Sequence, residues 1–337
     1  MMTPSSEMAL NKLIQLKHKH KLKSGILMKH QKTLYLLFTL MTAFSGHAVD
    51  GVIEINQTCA TQLGCFSGDN SGFPIFINGN AGRSYRLTSD LLIPNKNVSV
   101  IHLRSNNITI DFNGFSIIRE SCSNSECSVI VGIGSAIIEA DNGEYSNVTI
   151  KNGSIIGMGG VGINLSRVNS VTVENMRIGY NGGIGILIQK NGNIKNSTVF
   201  NNSDSGIVAR SNAYISGNIV YGNDNGIFSN SAIIQSNNVY SNNLDGILCH
   251  STCNINNNQV YENLDDGIEI RSNALATTQG SLIKSNSLSG NGGFGIRFNN
   301  QRSAYQGNVI TNNFSGTVTP LGFNLGGNYC TSNDVCP

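Results

Sequence analysis

The chain has 337 residues, 38 of them glycine, and only 12% are charged, against about a quarter in ordinary globular domains. Ile and Val nonetheless recur in register almost throughout, which excludes a disordered polar chain. Of 22 Lys and Arg, seven fall before Ala48, and of 20 Asp and Glu, one does, leaving 15 against 19 and turning the overall +2 into −4 beyond that point. A remainder of that sign speaks against nucleic acid or an anionic membrane as partner.

The first 48 residues stand outside the pattern that follows. Lys29 and Lys32 precede an almost wholly apolar run, Leu34–Phe44, and then Gly46-His47-Ala48. That order reads as a secretory signal peptide over 28–48 with cleavage after Ala48. Its apolar run is too short to span a bilayer, so no transmembrane segment is expected after cleavage. Residues 1–27, with Lys17, Lys19, Lys21 and Lys23, read as a mis-assigned start before Met28 or as an extra leader. The expected compartment is periplasmic or extracellular.

All eight cysteines lie beyond Ala48 in four close pairs: Cys59 with Cys65, Cys122 with Cys127, Cys249 with Cys253, and Cys330 with Cys336. An even count in an exported chain points to disulfides, and local pairing is the simplest connectivity. Zinc is the competing reading. It is disfavoured because no pair has C-x-x-C spacing and only His102 and His250 remain to complete a site.

From Gly162 onward a Gly-Ile pair returns at Gly162, Gly185, Gly206, Gly226, Gly246, Gly267 and Gly295, in steps of 23, 21, 20, 20, 21 and 28 residues. After each pair apolar residues alternate, as in Ile186 and Ile188 or Ile268 and Ile270. A second short strand carries pairs such as Ile194 with Val199 and Ile255 with Val260. Segments this short, bounded by Asn, Gly and Ser, cannot be helices. A repeat of this period predicts an all-β solenoid, a right-handed parallel β-helix of about ten coils. The expected layout is an N-terminal cap with opening strands over 49–97, coils over 98–313 and a C-terminal cap over 314–337. Two Asn files are expected at the corners: Asn181, Asn202, Asn223, Asn242, Asn263, Asn291, Asn313, and Asn152, Asn175, Asn196, Asn218, Asn238, Asn258, Asn286, Asn308.

Three segments carry a family resemblance: Gly82-Arg83-Ser84-Tyr85-Arg86-Leu87, Asn107-Ile108-Thr109-Ile110-Asp111-Phe112-Asn113-Gly114 and Asn147-Val148-Thr149-Ile150-Lys151-Asn152-Gly153. With the Gly-Ile coils they resemble the pectin-lyase-like, NosD-like right-handed β-helix superfamily over residues 75–325. The resemblance implies the fold, while activities within that superfamily range from polysaccharide lyases, glycosidases and epimerases to accessory proteins without catalysis. Leu264-Asp265-Asp266-Gly267-Ile268 resembles the paired-Asp motif of polygalacturonase-type glycosidases. The Gly-His-Gly and Arg-Ile-Lys motifs that accompany it there are absent, as is the Asp-Pro-His-Glu motif of alginate epimerases.

Stacked coils would gather specific chemistry. Asp204, Asp224, Asp245, Asp265 and Asp266 precede the Gly-Ile strand and would line one edge, as turn residues, as a cation site of the calcium type, or as catalytic carboxylates. With Ile268 and Ile270 inward, Glu269 and Arg271 face outward, beside His250, with Arg210 two coils away and Arg297 over Glu269 as an expected ion pair. Acid, base and carboxylate-binding cation could come from Asp265, Asp266, Glu269, Arg271 and His250. Phe200, Tyr221, Tyr240 and Tyr261 form a ladder that serves as packing or as a platform for sugar rings.

A complete fold signature with incomplete catalytic motifs favours an exported protein that binds extended glycans or a surface partner without catalysis. The alternatives are a lyase, glycosidase or epimerase acting on an acidic polysaccharide, and a structural envelope-accessory protein. No firm cofactor is implied, calcium being the one candidate, and oligomeric state is not readable from the chain.

Overall fold

The structure, a computed structural model, describes residues 51–79, 83–123, 127–141, 143–271, 280–299, 302–331 and 336–337. The leader over 1–27, the signal peptide over 28–48 and its cleavage site after Ala48 lie outside the described residues. Gly82 and residues 272–279 do so as well.

Short strands wind repeatedly around one axis and pair in parallel with the same position of the next coil, making three long sheets. Sheet A begins at Ile75–Ile77 and runs through Ile101–Leu103, Ile137–Glu139 and then every Gly-Ile strand to Gly316–Val318, eleven strands among the described residues. That is one more coil than the sequence pattern suggests. Sheet B starts at Val52–Ile55 and stacks Ile150, Val173, Ile194, Ile215, Ile234, Ile255 and Ile283 in one file. Sheet C starts at Leu91–Ile93 and stacks Ile178, Val199, Val220, Val239, Val260, Leu288 and Ile310. The expected alternation holds: Ile186, Ile188, Ile194 and Val199 are fully enclosed in a core that runs the length of the coils.

The glycine of each Gly-Ile pair answers a contact rather than a dihedral need. A Cβ on Gly246 would lie 2.5 Å from Val260 Cγ1 and 2.7 Å from both Asn263 Nδ2 and the Gly267 carbonyl. No side chain fits there, because the next coil's corner passes against the backbone.

The corners hold the first Asn file as expected. Asn181, Asn202, Asn223, Asn242, Asn263 and Asn291 each donate Nδ2–H to the Oδ1 of the next Asn, at 2.8–3.2 Å. The second expected file resolves into two adjacent ones. Buried amides stack at Asn218, Asn237, Asn258, Asn286 and Asn308, and the stack ends on Asn328. The position before this corner takes the left-handed conformation in each of these coils, whether or not an amide follows: Asn152, Asn175, Asn196, Gly217, Ser236, Asn257, Ser285 and Gly307 have φ between 51° and 65°. Asn238 belongs to neither file and sits in sheet C. Asn suits both roles, since its amide tolerates left-handed backbone and can donate and accept along a stack.

All eight cysteines are paired, and the pairing is the expected local one. Cys59 is bonded to Cys65 and Cys122 to Cys127, while Cys249 is bonded to Cys253 and Cys330 to Cys336. The zinc alternative has no thiolate left to bind with. Cys249 and Cys253 lie in the core itself, where Cys249 takes the inward place that Ile188 and Ile270 hold in other coils. Cys65 and Cys336 pack against the same core from the two ends of the described chain, and Cys127 meets Cys122 beside Ile156 and Phe200. No helix among the described residues is long and apolar enough to cross a membrane.

Candidate functional site

The carboxylates before the Gly-Ile strands fall into two files, not one edge. Asp204, Asp224, Leu244 and Asp265 follow one another through backbone hydrogen bonds, and their side chains are exposed or half-exposed. Asp245 and Asp266 occupy the neighbouring file, directly before glycine, at 2% and 1% exposure. There each accepts a backbone N–H from the following coil, three residues after the ladder amides Asn242 and Asn263. Asp245 Oδ1 accepts the Asp266 N–H at 3.1 Å, and Asp266 Oδ1 accepts the Phe294 N–H at 2.6 Å. Register therefore separates Asp204 and Asp224 from the charged cluster.

On the outer face of sheet A, Glu269 pairs in register with Leu248 on one side and Arg297 on the other. The expected Glu269–Arg297 ion pair does not form. Arg297 reaches diagonally to Asp266, where Nε and Nη2 both donate to the carboxylate. Glu269 instead takes Arg271 Nη2 at 2.6 Å, two residues along its own strand, and accepts Asn299 Nδ2–H at 2.7 Å. Asp266, at a corner and nearly sealed from water, has more need of the guanidinium than Glu269, which Arg271 and Asn299 already satisfy. Arg271 Nη2 also stands 3.8 Å from Asp245 Oδ2.

The electrostatics of this group are divided. Burial, then the neighbouring Glu269 charge, pushes the Asp245 carboxyl up to about 8. Burial likewise raises Asp266, although the Arg297 and Phe294 hydrogen bonds pull against it. Burial would raise Glu269 too, but hydrogen bonds from Arg271, Asp245 and Asn299 outweigh it and hold Glu269 below the usual carboxylate range. The two shifts run in opposite directions, Asp245 toward its protonated form and Glu269 toward its ionised form, so the two groups have opposite roles available.

His250 lies one coil before Arg271 in the same file and packs edge-on to Phe228, centroids 4.8 Å apart. Burial and the Arg271 charge keep it neutral to lower pH than usual. Its Nε2 is enclosed and has no hydrogen-bond partner among the described residues. Arg210 stands exposed two coils earlier, away from the carboxylates.

Oxygens of Asp245, Asp265 and Asp266 lie within 4.8 Å of one another, the donor type a hard cation such as calcium takes. Asp245 and Asp266 already face guanidinium groups, so the cluster carries its own counter-charge.

Phe200, Tyr221, Tyr240 and Tyr261 stack at 5.5, 5.1 and 5.0 Å with interplanar angles of 22°, 11° and 5°. Their faces are spent on one another, and Phe200 is further covered by Tyr180 and by the Arg177 guanidinium. The inner rungs are packed face to face, and Tyr261, half-buried, is the last ring of the ladder. Asn299 is the contributor that sequence reasoning misses. Its signal is present in the repeat, because it follows Phe298, the register partner of Ile270.

A family profile described as a right-handed β-helix region matches residues 95–232. The chain is a right-handed β-helix repeat protein. Among solved structures, the A-module of the Azotobacter vinelandii mannuronan C-5 epimerase AlgE4 shares 16% identity at a TM-score of 0.55, over 69% of this chain and 71% of that one. A point mutant of the periplasmic alginate epimerase AlgG shares 15% identity at a TM-score of 0.50, over 84% of this chain and 79% of that one. At such identities the likeness is one of fold. No curated protein matches the chain in sequence. The family match ends before Asp245, so the charged cluster belongs to the part of this β-helix that the profile does not cover.

Proposed function

We propose that this β-helix acts on an acidic polysaccharide at the outer face of sheet A, around Asp245, Asp266, Glu269, Arg271 and Arg297, a reading that the sequence alone ranks second to binding without catalysis. One observation carries it. Two enclosed carboxyls, Asp245 and Glu269, converge on the partly exposed Arg271 guanidinium, at 3.8 and 2.6 Å, with burial pushing the first up and hydrogen bonds holding the second down. Proton chemistry next to a uronate carboxylate needs those three parts: a cation to hold the carboxylate, a base to take the proton from the adjacent carbon, and an acid to return one. Arg271 supplies the first, Glu269 the second and Asp245 the third. Standing side by side, the two would act from one face: Glu269 takes the C-5 proton, the bond to the C-4 glycosidic oxygen breaks, and Asp245 protonates that leaving oxygen, giving a lyase with an unsaturated end; epimerisation would take its returned proton from water on the opposite face. The activities named for the two fold neighbours support the choice of uronate polymers as test substrates.

Incubation with polymannuronate, polyguluronate and polygalacturonate, followed by proton NMR of the anomeric and C-5 signals and by absorbance of unsaturated ends, tests the reading. Epimerised or unsaturated product that disappears in Asp245→Asn and Glu269→Gln is expected. Product formation unaltered by both substitutions would overturn the assignment.

The engagement of the carboxylates favours a second reading, binding without turnover. Asp266 is held by Arg297 and the Phe294 N–H, and Glu269 by Arg271 and Asn299. Polymer retained on an immobilised chain but recovered unchanged would establish it. In either case the four disulfides support a periplasmic or extracellular setting.

A further inference from the structure

The chain beyond Ala48 is net acidic, yet one edge of the β-helix is basic. Where sheet A turns into sheet B, register places Ser166, Gln189, Arg210, Asn230, His250 and Arg271 in one file over six successive coils. Arg167 and Lys190 lie one step further round the same corner, Arg167 in the bulge opposite Gln189 and Lys190. Four of the six coils therefore carry a cation, Arg271 with one amino group on Glu269, and a fifth carries His250, while no carboxylate stands in the file itself. Arg167, Lys190, Arg210 and Arg271 are all exposed.

The far end of the edge is hollowed. An open cavity of about 530 Å³ lies between the coils there, lined by Tyr145, Arg167, Lys190, Asn169, Gln189 and Glu144. Glu139 stands behind it, its carboxyl raised by burial and hydrogen-bonded by the Ser166 hydroxyl at 2.8 Å. Among the described residues Glu144 is the one acid on the cavity wall, and Glu139 behind it feels the Arg167 charge.

We propose that this edge is the track of an extended polyanion laid parallel to the axis, with the Tyr145–Arg167–Lys190 cavity as a distal subsite. Five coil steps separate Arg167 from Arg271, about 24 Å at the usual strand spacing of about 4.8 Å. A chain of several linked uronate rings lying along that length would bring successive carboxylates past the cations of successive coils. The choice of ligand rests on the acidic-polysaccharide reading, whereas the placement of the track does not. Cations spaced in this way favour an anionic chain over a single acidic sugar, because effective concentration accumulates along the polymer.

The test uses the full chain and size-defined 1,4-linked uronate oligomers, trimer and octamer, by calorimetry at two salt concentrations. The wild type is expected to bind octamer at least tenfold more tightly than trimer. Arg167→Ser with Lys190→Ser should weaken octamer binding at least tenfold and flatten its salt dependence. Lys284→Ser, an exposed cation on sheet B, should change neither, and unchanged melting should show that the double variant is folded. Equal affinity for trimer and octamer, or an octamer loss below twofold in the double variant, would overturn the track even if uronate chemistry at the cluster is found. Octamer binding that depends on Arg167 and Lys190, with no chemistry altered by Asp245→Asn, would instead uphold the track and sink the catalytic reading. Absence of any oligomer binding would remove both.

Discussion

Replacing Asn258 by alanine isolates what the buried amides contribute. The side chain is 1% exposed. Its Nδ2 donates to the Ile234 carbonyl at 2.9 Å, the Asn256 carbonyl at 3.1 Å and Asn286 Oδ1 at 3.0 Å. Its Oδ1 accepts the Asn237 N–H at 2.9 Å and Asn237 Nδ2–H at 3.0 Å. After truncation Asn237 Nδ2 keeps two acceptors, and Asn286 Oδ1 keeps the Asn258 N–H. The Asn237 backbone N–H, however, is left buried without its acceptor, which costs about 1–3 kcal/mol by itself. With the other lost bonds the expected total is about 3–5 kcal/mol, read as a lowered urea midpoint by circular dichroism. Asn258→Asp keeps the acceptor but turns a carboxylate toward Asn286 Oδ1 and the Ile234 carbonyl. Its folded-state pKa is therefore raised, and its stability should recover as pH falls through that value. Asn238→Ala, one file away and half-buried with Oδ1 unpartnered, should cost less than about 1 kcal/mol. An Asn258→Ala loss below that level, or equal to the Asn238→Ala loss, would refute the ladder argument.

Arg297→Met leaves Asp266 enclosed without its cation and should cost about 3–5 kcal/mol; the added substitution Asp266→Asn should restore most of it, by denaturant titration of all three variants. Asp245 binds its proton more tightly folded than unfolded, so its contribution to stability is greatest in mild acid and is lost as pH rises from about 4 through about 8. Glu269 has the opposite sign: its folded pKa is depressed, so its contribution is present above the unfolded value and lost on acidification. Melting against pH should show both limbs in the wild type, with only the acid limb in Asp245→Asn. Tyr240→Ala removes the ring between Tyr221 and Tyr261 and should cost about 2–4 kcal/mol by urea titration, since two stacked contacts and their buried area are lost together.

Positions whose role is set by winding alone are legible in the sequence. The glycines before each Ile, the Ile and Val of the core files and the Asn181–Asn313 ladder all repeat in phase with the coil. The four short cysteine loops are legible for a different reason, since Cys65, Cys127, Cys253 and Cys336 each follow their partner by only four to six residues. The second Asn file is blurred because two adjacent corner positions favour the same residue on different grounds. Left-handed backbone suits Asn196 and Asn257, while a buried donor–acceptor stack needs Asn218 and Asn258. A one-residue slip such as Asn238 looks alike in composition. The ion pairs escape a sequence reading because register fixes Cα neighbours and not where a long side chain ends. Arg297 lies beside Glu269 yet spans to Asp266, and Arg271 turns back along its own strand. The difference in burial between Asp265 and Asp266 is hidden in a similar way, since the linear text shows only two adjacent Asp before a Gly.

The glycine contacts at each corner also limit how such a molecule changes over generations. A substitution there is forbidden by the neighbouring turn, whereas duplication or deletion of a whole winding leaves every such contact intact. Growth by units would lengthen the basic edge in increments of about 4.8 Å without disturbing the carboxylates at its Arg271 end. Reach along a polymer and chemistry upon it are thereby heritable as separate traits.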